Sequence, residues 1–528
     1  MKYIVDNIKV SPLDKTSLKN IIAQRLNIKS FEYKIISKSL DARDKTSILY
    51  IYRFLVETNE KVTHKNAKKY EEKEYEISYP KWNGLSPVVV GFGPAGMLAA
   101  LYLARCGARP IIVERGKKVE ERKKDILEFI ETKKINPNSN IQFGEGGAGT
   151  FSDGKLVTNL KDPLIKFILE EFYKHGAKED ILYDSKPHIG TDYLEIVVKN
   201  IREEIIKLGG KFYFSHTFIN SLNKGNILEI NVKNNIDDSS VKINTNHLLL
   251  GLGHSARDTF KNLYEMKMEM EQKSFSMGVR CEHPKTLINE SQYGKIHYAL
   301  PAAYYKLNTK SNGRGVYTFC MCPGGYVMAS QSEENTILTN GMSNNARDAI
   351  NSNSALLVDV TPQDYDKGHV LDGMYYQEKY ERLAFELSKD YKAPANLFKE
   401  FLNDEVAKEL RSVNTSYPHG LNLTDLSQCL PDFVIEGLKQ GIVDFDKKLK
   451  GFNHDDAILI GVETRSSSPV RLVRNERRES NIKGIYPIGE GAGYAGGITS
   501  AALDGLKTAM QIASNPTVKK LFDDIKII

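Results

Sequence analysis

"VVVGFGPAGMLAALYLARCGARPIIVERG", Val88 to Gly116, sets a glycine-rich turn between two apolar runs and ends on Glu114-Arg115. Val88 to Val90 reads as a strand buried on both faces, as in a parallel sheet. In the turn, Gly91 allows a sharp reversal. Gly93, followed by Pro94-Ala95, lets a pyrophosphate approach the backbone, and Gly96 lets the next helix pack closely on the strand. That helix points its free N–H groups and positive dipole end at the phosphates. "RPIIVE" supplies a second strand, and Glu114 lies 18 residues after Gly96, near the spacing for an acid that binds ribose hydroxyls. Arg115 follows at the same edge. A 2′-phosphate beside this carboxylate is repelled, so the pattern favours NAD or FAD over NADP.

Outward from this unit, the 528 residues suffice for two or three domains. The chain is 41% hydrophobic and 27% charged, and its 73 basic against 67 acidic side chains leave +6. That charge is small for the length and does not demand a polyanion partner. No apolar run reaches the ~20 residues of a membrane span, and the first residues lack a signal-peptide core. Five cysteines without a CxxC point to a reducing compartment, the cytoplasm, rather than a disulfide framework. Cys320-Met-Cys322, in apolar and glycine-flanked sequence, reads as a structural pair.

Four segments are expected. Residues 1–80 hold a small β-α-β-β, ferredoxin-like module and a charged linker. Residues 85–267 give the first part of an α/β nucleotide-binding domain with a β-meander. Residues 268–455, rich in Tyr, Asn, Ser and Gly, form an inserted α+β domain. Residues 456–528 return to the nucleotide-binding domain.

Three further stretches favour FAD. "GIYPIGEGAG" is a strand followed by Gly489-Glu490-Gly491-Ala492-Gly493, and an acid among glycines suits a flexible polyol such as the ribityl chain. The helix opening at Gly497-Ile498 offers N–H groups to negative charge on a reduced flavin. "HLLLGLGHSARDTF" ends an apolar strand at Gly253, and "IQFGEGGAGTFSDGKLVTN" carries Gly144, Gly146, Gly147, Ala148 and Gly149 on a loop able to lie against pyrophosphate and ring.

Together with "KPHIGTD", "CPGGYV" and "GVETRSSSPVR", these motifs resemble flavoproteins of the glutathione reductase superfamily, in particular the subgroup of fumarate reductase flavoprotein subunits. The full set is similar to a bacterial family described as uncharacterised FAD-dependent dehydrogenases. The likeness covers essentially the whole chain. It implies non-covalent FAD, a discontinuous FAD domain and an inserted substrate domain, but no substrate. Glu490 stands where many superfamily members have Asp.

The first glycine turn is followed by no redox CxxC, which disfavours a disulfide-reductase mechanism. No second complete GxGxxG unit is present, so NAD(P)H is left to approach the flavin transiently or another donor reduces it. Arg465 and Arg471 are candidate clamps for an anionic small substrate, since guanidinium forks suit planar anions. Arg280 is a similar candidate. His188 is a candidate proton donor or acceptor, and Tyr494 a candidate ring-stacking residue. No metal-ligand spacing occurs. The leading expectation is an FAD-dependent oxidoreductase. The alternatives are a flavoprotein acting on RNA and a non-catalytic FAD-binding redox sensor.

Overall fold

Val88–Val90 sits at the centre of a five-stranded parallel sheet in the order Ile485–Pro487, Leu248–Leu250, Val88–Val90, Ile111–Val113, Lys211–Tyr213. The computed structural model describes residues 1–71 and 77–513. Residues 72–76 of the expected linker, and 514–528 of the expected last segment, lie outside them.

The central strands are only three residues long, yet every side chain in Val88–Val90 and Leu248–Leu250 is buried. Alternation sends them to two cores. Val89, Ile112 and Leu249 pack with the helices Pro94–Arg105, Thr191–Lys207 and Ile498–Ile512. Val88, Val90, Leu248 and Leu250 pack against the antiparallel meander His216–Lys224, Ile227–Asn234, Ser240–Thr245 and the helix Arg257–Glu265. This is the Rossmann-like layering expected from the sequence.

The second large unit is a seven-stranded mixed sheet. Its order is Asn308–Ser311, Arg314–Cys322, Asn351–Val360, Phe275–Pro284, Ile458–Glu463, Ala393–Leu397, Leu421–Leu423. The helix Asp432–Lys448 covers it, with Gly437 and Gly441 set against Val358 and Val316. The order corrects the expected boundary at 455/456. Ile458–Glu463 does not return to the nucleotide-binding sheet but pairs antiparallel with Phe275–Pro284, Gly278 opposite Glu463. A fully buried apolar run reads alike in either sheet, and only its hydrogen-bonded neighbour decides. The chain enters and leaves the insert through one antiparallel pair, Met270–Gln272 with Val470–Leu472.

In the N-terminal module the strands lie in the order Glu32–Asp41, Leu49–Glu57, Lys2–Val10, Ala67–Lys69, all antiparallel. Ser17 caps the helix Leu18–Leu26 by accepting from the Asn20 N–H. Lys38 joins the module to the rest: its N–H donates to the Tyr183 carbonyl at 2.7 Å, and its own carbonyl accepts from Ser185 at 2.8 Å. Among the described residues no helix is long and apolar enough to cross a membrane.

Candidate functional site

One cavity of about 480 Å³ runs along the C-terminal ends of the parallel strands and under the seven-stranded sheet. Ligands of open α/β sheets bind at that edge. Two kinds of wall enclose it.

The first wall is mostly backbone. Gly91, Gly93, Pro94 and Ala95 line it, as do Glu114, Arg115, Gly144, Gly147, Ala148, Gly149, Gly253, Glu490, Gly491, Gly497 and Ile498. The helix Pro94–Arg105 starts on Gly93 with Pro94 in its first turn and no side-chain cap, and the helix Ile498–Ile512 starts uncapped on Gly497. Their first-turn N–H groups lack helical partners and favour an anion. The glycines hold the segments close. A Cβ on Gly96 would lie 2.0 Å from the Gly91 carbonyl oxygen, and one on Gly491 would lie 1.8 Å from that of Leu252.

Not every expected cofactor residue reaches the cavity. Gly96, Gly146, Gly489 and Ala492 lie behind its wall. Gly96 seats the helix on the strand. Gly146 abuts Thr150 and Val198, and Gly489 abuts Ala95 while its N–H donates to Asp504 at 2.8 Å. Ala492 is in the core. The loop at 144–149 is braced by a residue that no motif marks. Arg122, fully buried, donates to the carbonyls of Asn140, Ile141, Gly144, Glu145 and Gly147. Burial lowers its guanidinium to about 10, opposed by Glu114 and Glu145. A buried Arg in a helix otherwise rich in Glu and Lys carries no separate signal in the sequence.

Glu114 accepts three backbone N–H groups, from Phe92 at 2.8 Å and from Gly116 and Gly144 at 3.0 Å each. A carboxylate has about four acceptor sites, so one remains for a ligand hydroxyl. Arg115 is tied to Asp258 at 2.7 Å and lies over the Phe143 ring. Glu490 differs from both. Its carboxylate has no hydrogen-bond partner among the described residues, although it faces the cavity. Burial holds its acid up at about 7, Cys320 adding to the effect and Lys273 opposing it.

The second wall is made of side chains from the insert and its flanks: Tyr304, Lys306, Thr318, Phe319, Cys320, Asn340, Glu463 and Arg465, with Asp153 and Lys155 from the glycine loop's end. Of the expected clamps only Arg465 is here. Its Nε and Nη2 bind Glu381 at 2.9 and 2.7 Å and its Nη1 binds Ser332 at 2.8 Å. Glu381 also accepts from Arg257 and from Thr464, and these partners hold its acid well below the carboxylate range despite burial. His254, on the same cavity, is kept neutral: burial, with Arg465 and Arg257 adding, lowers it to about 3.

The other candidates are corrected. Arg280 is fully buried behind the wall. It holds Glu463 through Nε at 2.7 Å and Nη2 at 3.0 Å, and the Cys320 carbonyl through Nη1 at 2.9 Å. It shapes the wall without facing the cavity, and Glu463, which does face it, sits at about 7 through burial and Cys320, against the pull of Arg280. Arg471 is on Val470–Leu472, the strand by which the chain leaves the insert, off the cavity and over the Tyr494 ring. Tyr494 itself is covered by Arg474 at 3.6 Å rather than open to a ligand. His188 is also off the cavity, its Nε2 3.0 Å from the Asn345 carbonyl oxygen. Cys322 is buried as expected, but Cys320 lines the cavity.

Fold and site together define an α/β protein with a Rossmann-like parallel sheet whose glycine-lined cavity lies beneath a second, seven-stranded sheet. Residues 274–466 match the profile of a family described as FAD-dependent protein, C-terminal domain-like. That span covers the seven-stranded sheet and ends one residue past Arg465. A Clostridium beijerinckii protein described only as uncharacterised is 46% identical over 530 residues, covering 97% of this chain and 98% of its own. The chain belongs to one family with this clostridial protein. Among solved structures, it is similar to a flavoprotein/dehydrogenase from Cytophaga hutchinsonii, with 10% identity, 83% of this chain and 79% of that one covered, and a TM-score of 0.36. It is also similar to the anhydrotetracycline hydroxylase OxyS of Streptomyces rimosus, with 10% identity and a TM-score of 0.34, covering 83% of this chain and 64% of that one.

The residues present fit FAD. The backbone wall brings bare main chain to the cavity at Gly91 and Gly491, packed so closely on the next segment that a Cβ there would strike the carbonyl oxygens of Gly251 and Leu252, and this suits the close approach of a pyrophosphate. Glu490 supplies an acceptor that the protein itself leaves unused.

Proposed function

We propose that the protein is an FAD-dependent oxidoreductase of the dehydrogenase or reductase kind, holding FAD non-covalently. It would pass a hydride or electron pair between a donor, NADH or NADPH, and a small substrate beneath the insert. The observation that carries this reading is Glu490: an unpartnered carboxylate shares one cavity with a glycine cradle and two uncapped helix starts.

Bound FAD supplies the electron-pair chemistry. The chain's part is to bind and orient. Gly91 to Ala95 and Gly147 to Gly149 would receive the phosphates, Glu114 a ribose hydroxyl, and Glu490 the ribityl hydroxyls. The helix start at Gly497-Ile498 favours negative charge beside it. Arg465 keeps two of its five N–H donors beyond the three already engaged. These suit an anionic group on the substrate.

The test is spectroscopic. The purified chain, as isolated or after incubation with FAD, is expected to show a flavin absorption spectrum that bleaches on anaerobic mixing with NADH or NADPH. A protein that stays colourless after reconstitution overturns the cofactor reading, and a bound flavin that neither nucleotide bleaches overturns the choice of donor.

A further inference from the structure

Two apolar side chains lie open where the cavity meets solvent. Val157 is 55% exposed and Phe319 is 38% exposed, and both line the cavity. The half-buried Tyr304 and the exposed Lys306 line it too. Apolar and aromatic faces left open on a cavity's lining suit a flat ring of a ligand.

Cations gather around the Tyr304 ring. The Lys186 Nζ lies 4.9 Å from its centroid and the Lys155 Nζ 5.8 Å. Lys306 follows Tyr304 by two residues. The acids of the neighbourhood are already engaged. Asp153 is shared by Lys155 at 3.0 Å and Arg347 at 2.8 and 2.5 Å. Asp184 faces Lys38 at 4.0 Å, and Glu463 is held by Arg280. Among the described residues the ammonium groups of Lys186 and Lys306 have no hydrogen-bond or ion-pair partner. Like charges without counter-charges leave a positive field at the opening, which draws anions. An ammonium serves a phosphate as a point charge, and an exposed one holds that phosphate in water while an attached ring goes inward. The chain also lacks a second complete GxGxxG turn on which a dinucleotide's diphosphate could rest.

We propose that Lys186 and Lys306 form a docking site for the diphosphate of a nicotinamide dinucleotide, with the open faces of Tyr304 and Phe319 beside it for an adjoining ring. This gives the donor of the proposed function a place, and rests on that reading for the donor's role.

NADP⁺ is the probe, since Glu114 disfavours its 2′-phosphate in the glycine cradle and it has no hydride to transfer. Titration calorimetry of the purified full-length chain is expected to show saturable binding that weakens at least about fivefold between about 0.05 and about 0.5 M NaCl, through screening. Loss of a hydrogen bond to a charged group sets an expected weakening of about tenfold in Lys186→Met and in Lys306→Met, with unchanged far-ultraviolet dichroism. The double variant is expected to bind more weakly still and to lose most of the salt dependence. Lys186→Arg and Lys306→Arg keep the charge and are expected to stay within about twofold of the parent. No binding by the parent, binding indifferent to salt, or a double variant within about threefold of the parent overturns the proposal. In the flavin-loaded chain, 1-benzyl-1,4-dihydronicotinamide separates ring from phosphate, because it carries the hydride-donating ring alone. Its bleaching rate is expected to be equal in parent and double variant, while bleaching by dilute NADPH slows about tenfold or more. Equal slowing of both overturns the site. A colourless chain whose NADP⁺ binding follows the two lysines refutes the flavin and not the site. A flavoprotein bleached by NADPH whose double variant binds NADP⁺ like the parent refutes the site alone.

Discussion

The two walls of the cavity are made of different material. The parallel-sheet wall is backbone: glycines, helix starts and one free carboxylate, drawn from short contiguous motifs. The insert's wall is side chains in buried ion pairs, each joining residues far apart in sequence. Arg280 with Glu463 spans 183 residues, and Arg465 with Glu381 spans 84. A backbone wall recognises groups that every member of a cofactor class shares. A side-chain wall can be reset residue by residue, so under the proposed function it is where substrate choice would reside.

The contrast can be broken at its one exception, Arg122, a side chain on which the backbone wall depends. Arg122→Met leaves five carbonyls without their donor, and at roughly 1 kcal/mol for each lost bond the cost is about 5 kcal/mol. Chemical denaturation is expected to show that loss together with loss of bound flavin. A variant that keeps both shows that the glycine loop holds itself.

On the opposite wall, Glu381→Gln leaves Arg257 and Arg465 without their shared buried anion. Removing one partner of a buried pair costs about 3 to 5 kcal/mol, and Glu333 still partners Arg257, so about 3 kcal/mol is expected in urea unfolding. The flavin spectrum of the folded variant should persist, since no group of the backbone wall is touched. If flavin is lost while stability is kept, the two walls are not separable.

The smallest effect is the pH dependence of Glu490. Its folded value of about 7 lies above the ordinary 4.5. Between those values the folded chain retains a proton that the unfolded chain has released. Its contribution to stability therefore falls as pH rises from 4.5 to 7 and levels off above. Glu490→Gln abolishes that slope. The ligand-free variant is expected to gain about 1 to 2 kcal/mol on the ligand-free parent between pH 5 and pH 7, a figure reduced for water in the cavity. Equal urea midpoints at both pH values would show that Glu490 is ionised throughout.

The unequal legibility of the walls has a physical cause. Gly91, Gly93, Gly96 and Glu114 stand out because a chain turning beneath a phosphate tolerates few other residues in those places, and Glu490 stands out for the same reason in the last loop. Arg471 and His188 stand out by residue type near conspicuous motifs, and type does not say which way a side chain faces. Arg280 and Arg465 stand out on the same grounds, yet they are engaged by Glu463 and Glu381, neither of which carries a local signal. Cys320 reads as packing because its neighbours are apolar, and a bulge in its strand, where the register shifts between Phe319 and Cys322, brings it to the cavity.

The sequence by itself determined the strand–turn–helix of the first motif, the parallel sheet around it and the glycine loops that the cradle needs, since these follow from local sterics and from burial of short apolar strands. Only the tertiary structure decided that Ile458–Glu463 belongs to the insert, which arginines are spent on buried acids, and which cysteine meets the cavity. The first two outcomes depend on pairings across 84 to 185 residues, which are settled by which surfaces meet when the two sheets close on one another.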